Sequence, residues 1–187
     1  MKLRYNVWPV MAVCLLASTT SLAADYIIDK KGQHASITFK ASHLGYSYII
    51  GRFNDFEGTF SHDATHPENS KASVTISAKS IDTNHAERDK HMRSPNFLDV
   101  AKHPTVRFDS SAYTNDAGVG LLKGNLTLHG VTKVISIRVN HIGEGDDPWG
   151  GYRSGFEGKT LLTASDFGMP DWVGDIEVML NVEGVRQ

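Results

Sequence analysis

Six runs of this chain alternate apolar and polar side chains with a period of two. Ile37 and Phe39 share one face, with Ser36, Thr38 and Lys40 on the other; Val74, Ile76 and Ala78 alternate with Thr75, Ser77 and Lys79. Val106 and Phe108 continue the pattern, and Leu122, Leu126 and Leu128 alternate with Lys123, Asn125 and Thr127. Ile135, Ile137 and Val139 oppose Ser136, Arg138 and Asn140; Ile176, Val178, Leu180 and Val182 oppose Glu177, Asn181 and Glu183. Strands of this kind belong to antiparallel sheets that bury one face and wet the other. Asn115-Asp-Ala-Gly118 and His129-Gly-Val-Thr132 read as tight connections between runs, and Gly143–Gly151 as a longer loop. Adding the runs Phe53–Phe60 and Tyr152–Leu162, the expectation is an all-β chain of about eight long antiparallel strands closed into a barrel. A barrel of that size has room for one small ligand, and Gly58, Gly124, Gly155 and Gly158 fit sharp bends or a guest close to the wall.

The alternation breaks once, between Asp82 and Phe97, where a densely charged segment reads as a short helix. Asn84 is placed to accept from first-turn backbone donors, Glu87 follows three residues on, and Pro95 limits the length. Such an insert is expected to cover one end of the barrel. A second short capping helix is expected around Ser42–Ile50, where alternation is lost.

Lys2 and Arg4, the apolar stretch Val7–Ala17 and the small residues Ser21-Leu-Ala23 form a secretory signal peptide, residues 1–23. Its apolar run is too short for a membrane-spanning helix. The mature domain, residues 24–187, is then expected in the periplasm. Cys14 is the only cysteine, so the exported domain has no thiol chemistry and stands on its core without disulfides. Loss of Lys2 and Arg4 makes the formal charge of −2 more negative, which gives no support to nucleic-acid binding.

Five motifs in register carry a resemblance: Gly45–Phe60; Asp82–Phe97 continuing through Lys102–Phe108; Gly124–Lys133; Asp147–Phe156; and Asp166-Phe-Gly168. Together they resemble the YceI family of bacterial periplasmic proteins. The resemblance implies a lipocalin-like antiparallel barrel that holds a long polyisoprenoid, such as a quinone tail or prenyl diphosphate, with no resident cofactor. Fatty-acid-derived amphiphiles are an alternative guest, and pairing into a homodimer follows by analogy. One departure is Ala164, where many members carry a basic residue two places before Asp-Phe-Gly.

The apolar residues expected to line such a channel are Phe39, Phe53, Phe56, Phe60, Val74, Ile76, Phe97, Val106, Phe108, Leu126, Leu128, Phe156 and Phe167. Arg88, Arg93, Trp149 and Arg153 are candidates for the mouth, where a guanidinium suits paired oxygens; for Arg88 and Arg93 a structural tie to nearby groups is the stronger reading. His85 with Asp89, and Glu87 with His91, have spacing that puts each pair on one helix face. Metal binding there needs a third ligand that sequence does not locate, so local charge pairs, including Asp89 with Arg93, are preferred. His34, His62, His66, His103 and His141 read as surface residues. A hydrolase is disfavoured: the chain has no nucleophile elbow and no His-Glu-x-x-His helix. A stress-linked protein in which binding is secondary stays open.

Overall fold

Each alternating run lies in a strand, except that Ala78 and Lys79 fall in a 3-10 turn just past one. The structure is a computed structural model that describes residues 23–187 apart from Gln33 and Ala117. The leader expected over residues 1–23, including Cys14, falls outside these described residues save for Ala23.

The strands are β1 (Ala24–Ile28), β2 (Ser36–His43), β3 (Ser47–Phe53), β4 (Phe56–His62), β5 (Lys71–Ser77) and β6 (Ile81–Asp82). The helix α1 (Ala86–Met92) follows, then β7 (Thr105–Asp116), β8 (Val119–Leu128), β9 (Val131–Asp146), β10 (Tyr152–Thr163) and β11 (Asp175–Arg186). All pairings are antiparallel. β1 pairs with β4 (Tyr26 opposite Phe60) and with β11 (Ile27 opposite Val185), so β1-β4-β5-β7-β8-β9-β10-β11 is a closed eight-stranded barrel.

β11 pairs with β10 along one edge and serves two neighbours along the other. Gly184–Arg186 face β1, whereas Ile176–Asn181 face β2, which carries β3 and the short β6 beyond it. β6 itself follows β5 through the turn Ala78–Ser80, so β2, β3 and β6 wall the opposite, upper end. Strand sharing of this kind lengthens the barrel without leaving a long bare edge.

The segment Ser42–Ile50 corrects the expectation of a second helix. It is a hairpin: β2 runs to His43, Leu44 and Gly45 take left-handed φ of 53° and 78°, and Tyr46 donates to the His43 carbonyl. Alternation was present but disguised, because β3 carries apolar groups on both faces. Ile49, Gly51 and Phe53 turn inward, while Tyr48 and Ile50 stay exposed. The loop after β9 is also shorter than expected. It covers residues 147–151, since β9 runs on to Asp146 and a bulge opposite Gly155 and Phe156 absorbs one residue.

The helix forms where the charged segment predicted it, with its cap one residue later. His85, not Asn84, is the N-cap, its Nδ1 accepting from the Arg88 amide at 3.2 Å. Asn84 instead takes a left-handed φ of 60° and donates its amide to Asp82 at 2.9 Å. A buried carboxylate anchors the helix: Asp89 accepts from the Thr83 amide (2.8 Å) and hydroxyl (2.6 Å). The expected Asp89–Arg93 side-chain pair does not form. Arg93 donates to the carbonyls of Lys79 and Ile81, both at 2.8 Å, and Arg88 donates to Thr83 Oγ1 and O.

Candidate ligand-binding tunnel

The inward residues of the strands meet around a hollow rather than a packed centre. Two cross-strand devices keep it open. Gly51 lies beneath the Phe39 ring, within 2.7 Å of ring carbon Cε1 if a Cβ were added, and Gly124 lies similarly beneath Phe108. With no side chain under them, these rings lie back along the wall instead of filling the lumen.

The hollow has an upper and a lower lobe. The upper lobe encloses about 1100 Å³ of unfilled space, part of it continuous with solvent, and is lined by Phe39, Phe53, Phe56, Val74, Ile76, Val106, Phe108, Leu126 and Leu128, among others. Met92, Leu98 and Met169 close it beneath α1 and the turns that follow β10. Thr38 and Thr160 are the polar residues in that lining; no charged side chain is among the described residues there. The lower lobe, about 730 Å³ on the same measure, includes Phe60 and Phe156 and gains polar neighbours in His62, Ser70, Lys71 and Glu157. Ile28, Val74, Phe108, Ile137, Leu180 and Val182 border both lobes, which therefore abut at the barrel's waist.

Two of the residues expected in the channel lie elsewhere. Phe97 is buried between His91 and Trp172, with edge-to-face ring distances of 4.8 and 5.7 Å, on the outer side of the cap. Phe167 is buried in the turn that follows β10 and borders neither lobe, and its carbonyl is 2.9 Å from His129 Nδ1. Both were inferred from aromatic character, which marks burial without saying against what. Ala164 is fully buried, and its amide donates to the Gly174 carbonyl. The position is enclosed and has no room for a long basic side chain.

The candidate mouth cations are already engaged. Arg88 and Arg93 bind backbone and hydroxyl oxygens, as described above. Arg153 Nη1 donates to Asp29 and Glu183, both at 2.5 Å, and its Nε donates to Asp147 at 2.8 Å. The Arg153 guanidinium beside Asp29 holds that carboxyl below the usual range, helped by the Gly32 amide. Asp147 is held low first by the Gly151 amide and then by Arg153. The same bonds, Asp29's foremost, drive the Arg153 pKa further up. Trp149, 75% exposed, lies against this guanidinium at 5.5 Å. The group is a clamp joining the β9–β10 loop to β11 and the end of β1.

The helix histidines do not gather ligands. His85 caps α1 and His91 packs on Phe97. Among the described residues, groups with metal-ligating geometry occur elsewhere: His62, His141 and Glu144; Asp99, His103 and His129; and Asp29, His34 and Glu183. Sequence reasoning missed these because strand pairing and barrel closure bring them together, and no local spacing announces them.

The YceI-like domain matches residues 26–184. The chain belongs to the YceI family. A UPF0312 protein of Pseudomonas aeruginosa is 51% identical over 177 residues, covering 92% of this chain and 93% of that protein. BcnA of Burkholderia cenocepacia superposes with a TM-score of 0.74 at 18% identity, covering 83% of this chain and 98% of that one. A polyisoprenoid binding domain from Saccharophagus degradans gives 0.64 at 15% identity, covering 89% and 100%. At those identities the two structures speak to the fold, and both share the lipocalin-like barrel of this YceI chain.

Proposed function

We propose that this YceI protein is an exported, periplasmic binding protein that carries a long apolar chain of the polyisoprenoid type in its tunnel. The observation that carries this reading is the two-lobed lumen, lined almost wholly by hydrocarbon and aromatic side chains. Water there would forgo hydrogen bonds, and a flexible apolar chain would not. Each CH₂ taken from water contributes roughly 0.8 kcal/mol, so a tail of several isoprene units exceeds any realistic affinity before ordering costs are subtracted. The tail therefore supplies the binding and the headgroup needs few contacts. Engagement of Arg88, Arg93 and Arg153 by the protein's own oxygens agrees with that division. The likeness to a polyisoprenoid binding domain supports the guest class, and family membership supports a binding protein over an enzyme.

The test is solvent extraction of protein purified from its own host, followed by mass spectrometry, alongside Phe108→Arg at the waist of the tunnel. The expected result is a near-stoichiometric polyprenyl lipid in the parent protein and at least a tenfold loss in a variant with unchanged circular dichroism. A protein that repeatedly yields no lipid contradicts the proposal, and a fatty-acid amphiphile in its place contradicts the guest class.

A further inference from the structure

We propose that His62, His141 and Glu144 form a divalent-cation site of the zinc type on the rim of the lower lobe. His62 ends β4, while His141 and Glu144 lie near the end of β9; closure of the barrel brings these distant residues together. Their ligand atoms all lie within 4.8 Å of one another. Around a tetrahedral zinc with bonds of about 2.0–2.1 Å, ligands stand roughly 3.3 Å apart. Modest side-chain rotation closes that gap, and Glu144 and His141 are exposed enough to make it.

Two further contacts favour a cation over simple packing. A ligating imidazole characteristically bonds a fixed partner through its other nitrogen. His141 Nε2 is 3.2 Å from the buried Ser154 hydroxyl, and His62 Nδ1 is 3.5 Å from Ser70 Oγ. That leaves His141 Nδ1 and His62 Nε2 as the ligating atoms. Phe156 packs on both rings, at 5.2 and 4.7 Å, and keeps them side by side. Two imidazoles and one carboxylate are the donor set that suits zinc and leaves its fourth position open to water or an oxygen-bearing ligand. The other clusters are more firmly committed: Asp29 and Glu183 hold Arg153, Asp99 holds Lys102 at 3.0 Å, and His129 meets the Phe167 carbonyl, whereas Glu144 meets the neutral Tyr152 hydroxyl, which a cation can displace.

The site stands whether or not the tunnel holds a guest, and its test does not use one. Chelator-treated protein is titrated with zinc chloride by calorimetry, beside His141→Ala, Glu144→Gln, Ser154→Ala and the control His103→Ala. One equivalent should bind at micromolar or tighter affinity. His141→Ala should weaken it at least about 100-fold and Ser154→Ala about 10- to 100-fold, with His103→Ala unchanged. Zinc should also raise the melting temperature of the parent and not that of His141→Ala, each compared with its own metal-free melt. Absence of binding at 0.1 mM free zinc, about 100-fold above the micromolar limit, overturns the proposal. So does binding that survives His141→Ala and Glu144→Gln, or that is lost in His103→Ala.

Discussion

Gly51 decides, with Gly124, how much of the lumen stays empty. The atoms nearest a Cβ at Gly51 are side-chain ones, the Phe39 ring and Thr83 Cγ2 at 2.9 Å, so Gly51→Val is expected to be accommodated by swinging the ring inward. The expected outcome is a folded protein whose uptake of a fluorescent apolar probe falls severalfold; unchanged uptake would mean that the ring does not gate the lobe. Gly124 is less forgiving, because its added Cβ also meets the Asp109 carbonyl at 2.5 Å. Ala164 makes the opposite case. Being fully buried, Ala164→Arg should cost at least about 3 kcal/mol in urea unfolding, through an unpaired buried charge and overpacking. At this scale sequence revealed which residues are inward, since period two assigns faces. It did not reveal that Phe97 faces the cap's outer side or that His62 and His141 meet, because the first depends on how the cap folds back and the second on strands that are not neighbours in the sheet.

Among the elements, the clamp around Arg153 is the most consequential. Asp29 and Asp147 have folded-state pKa values below their ordinary ones. A depressed carboxylate contributes stability that is fully present above its unfolded pKa and is lost as pH falls through the folded value. Arg153→Ala should therefore lower the melting temperature most at pH 7, on the order of 5 °C, with the gap to the parent narrowing below about pH 4. Thermal melts at pH 7, 5 and 3 check this; a gap that widens on acidification would contradict it. The helix α1 was legible because its charge density and capping residues interrupt a β pattern, although the left-handed turn at Asn84 moved the cap to His85. The β2–β3 hairpin was not, because Tyr48 and Ile50 put apolar groups on the solvent face and erased the contrast on which period-two reading depends.

The whole molecule is a barrel whose wall is shared between two partners of β11, which makes it long enough for a chain-like guest. Six alternating runs and two further ones predicted a closed antiparallel barrel of about eight strands, although the run in β2 stood in that count where β1 closes the barrel. The branching at β11 and the β2-β3-β6 extension were not legible, because register over twelve residues cannot be split between neighbours by composition alone. The lobes abut at Phe108, so the account requires one continuous guest running from beneath α1 to the rim at His62. A crystal structure of protein purified from its own host measures this most directly. The account predicts continuous tubular density passing Phe108 and filling both lobes; a lumen holding only ordered water, or closed by the protein's own side chains, would contradict it.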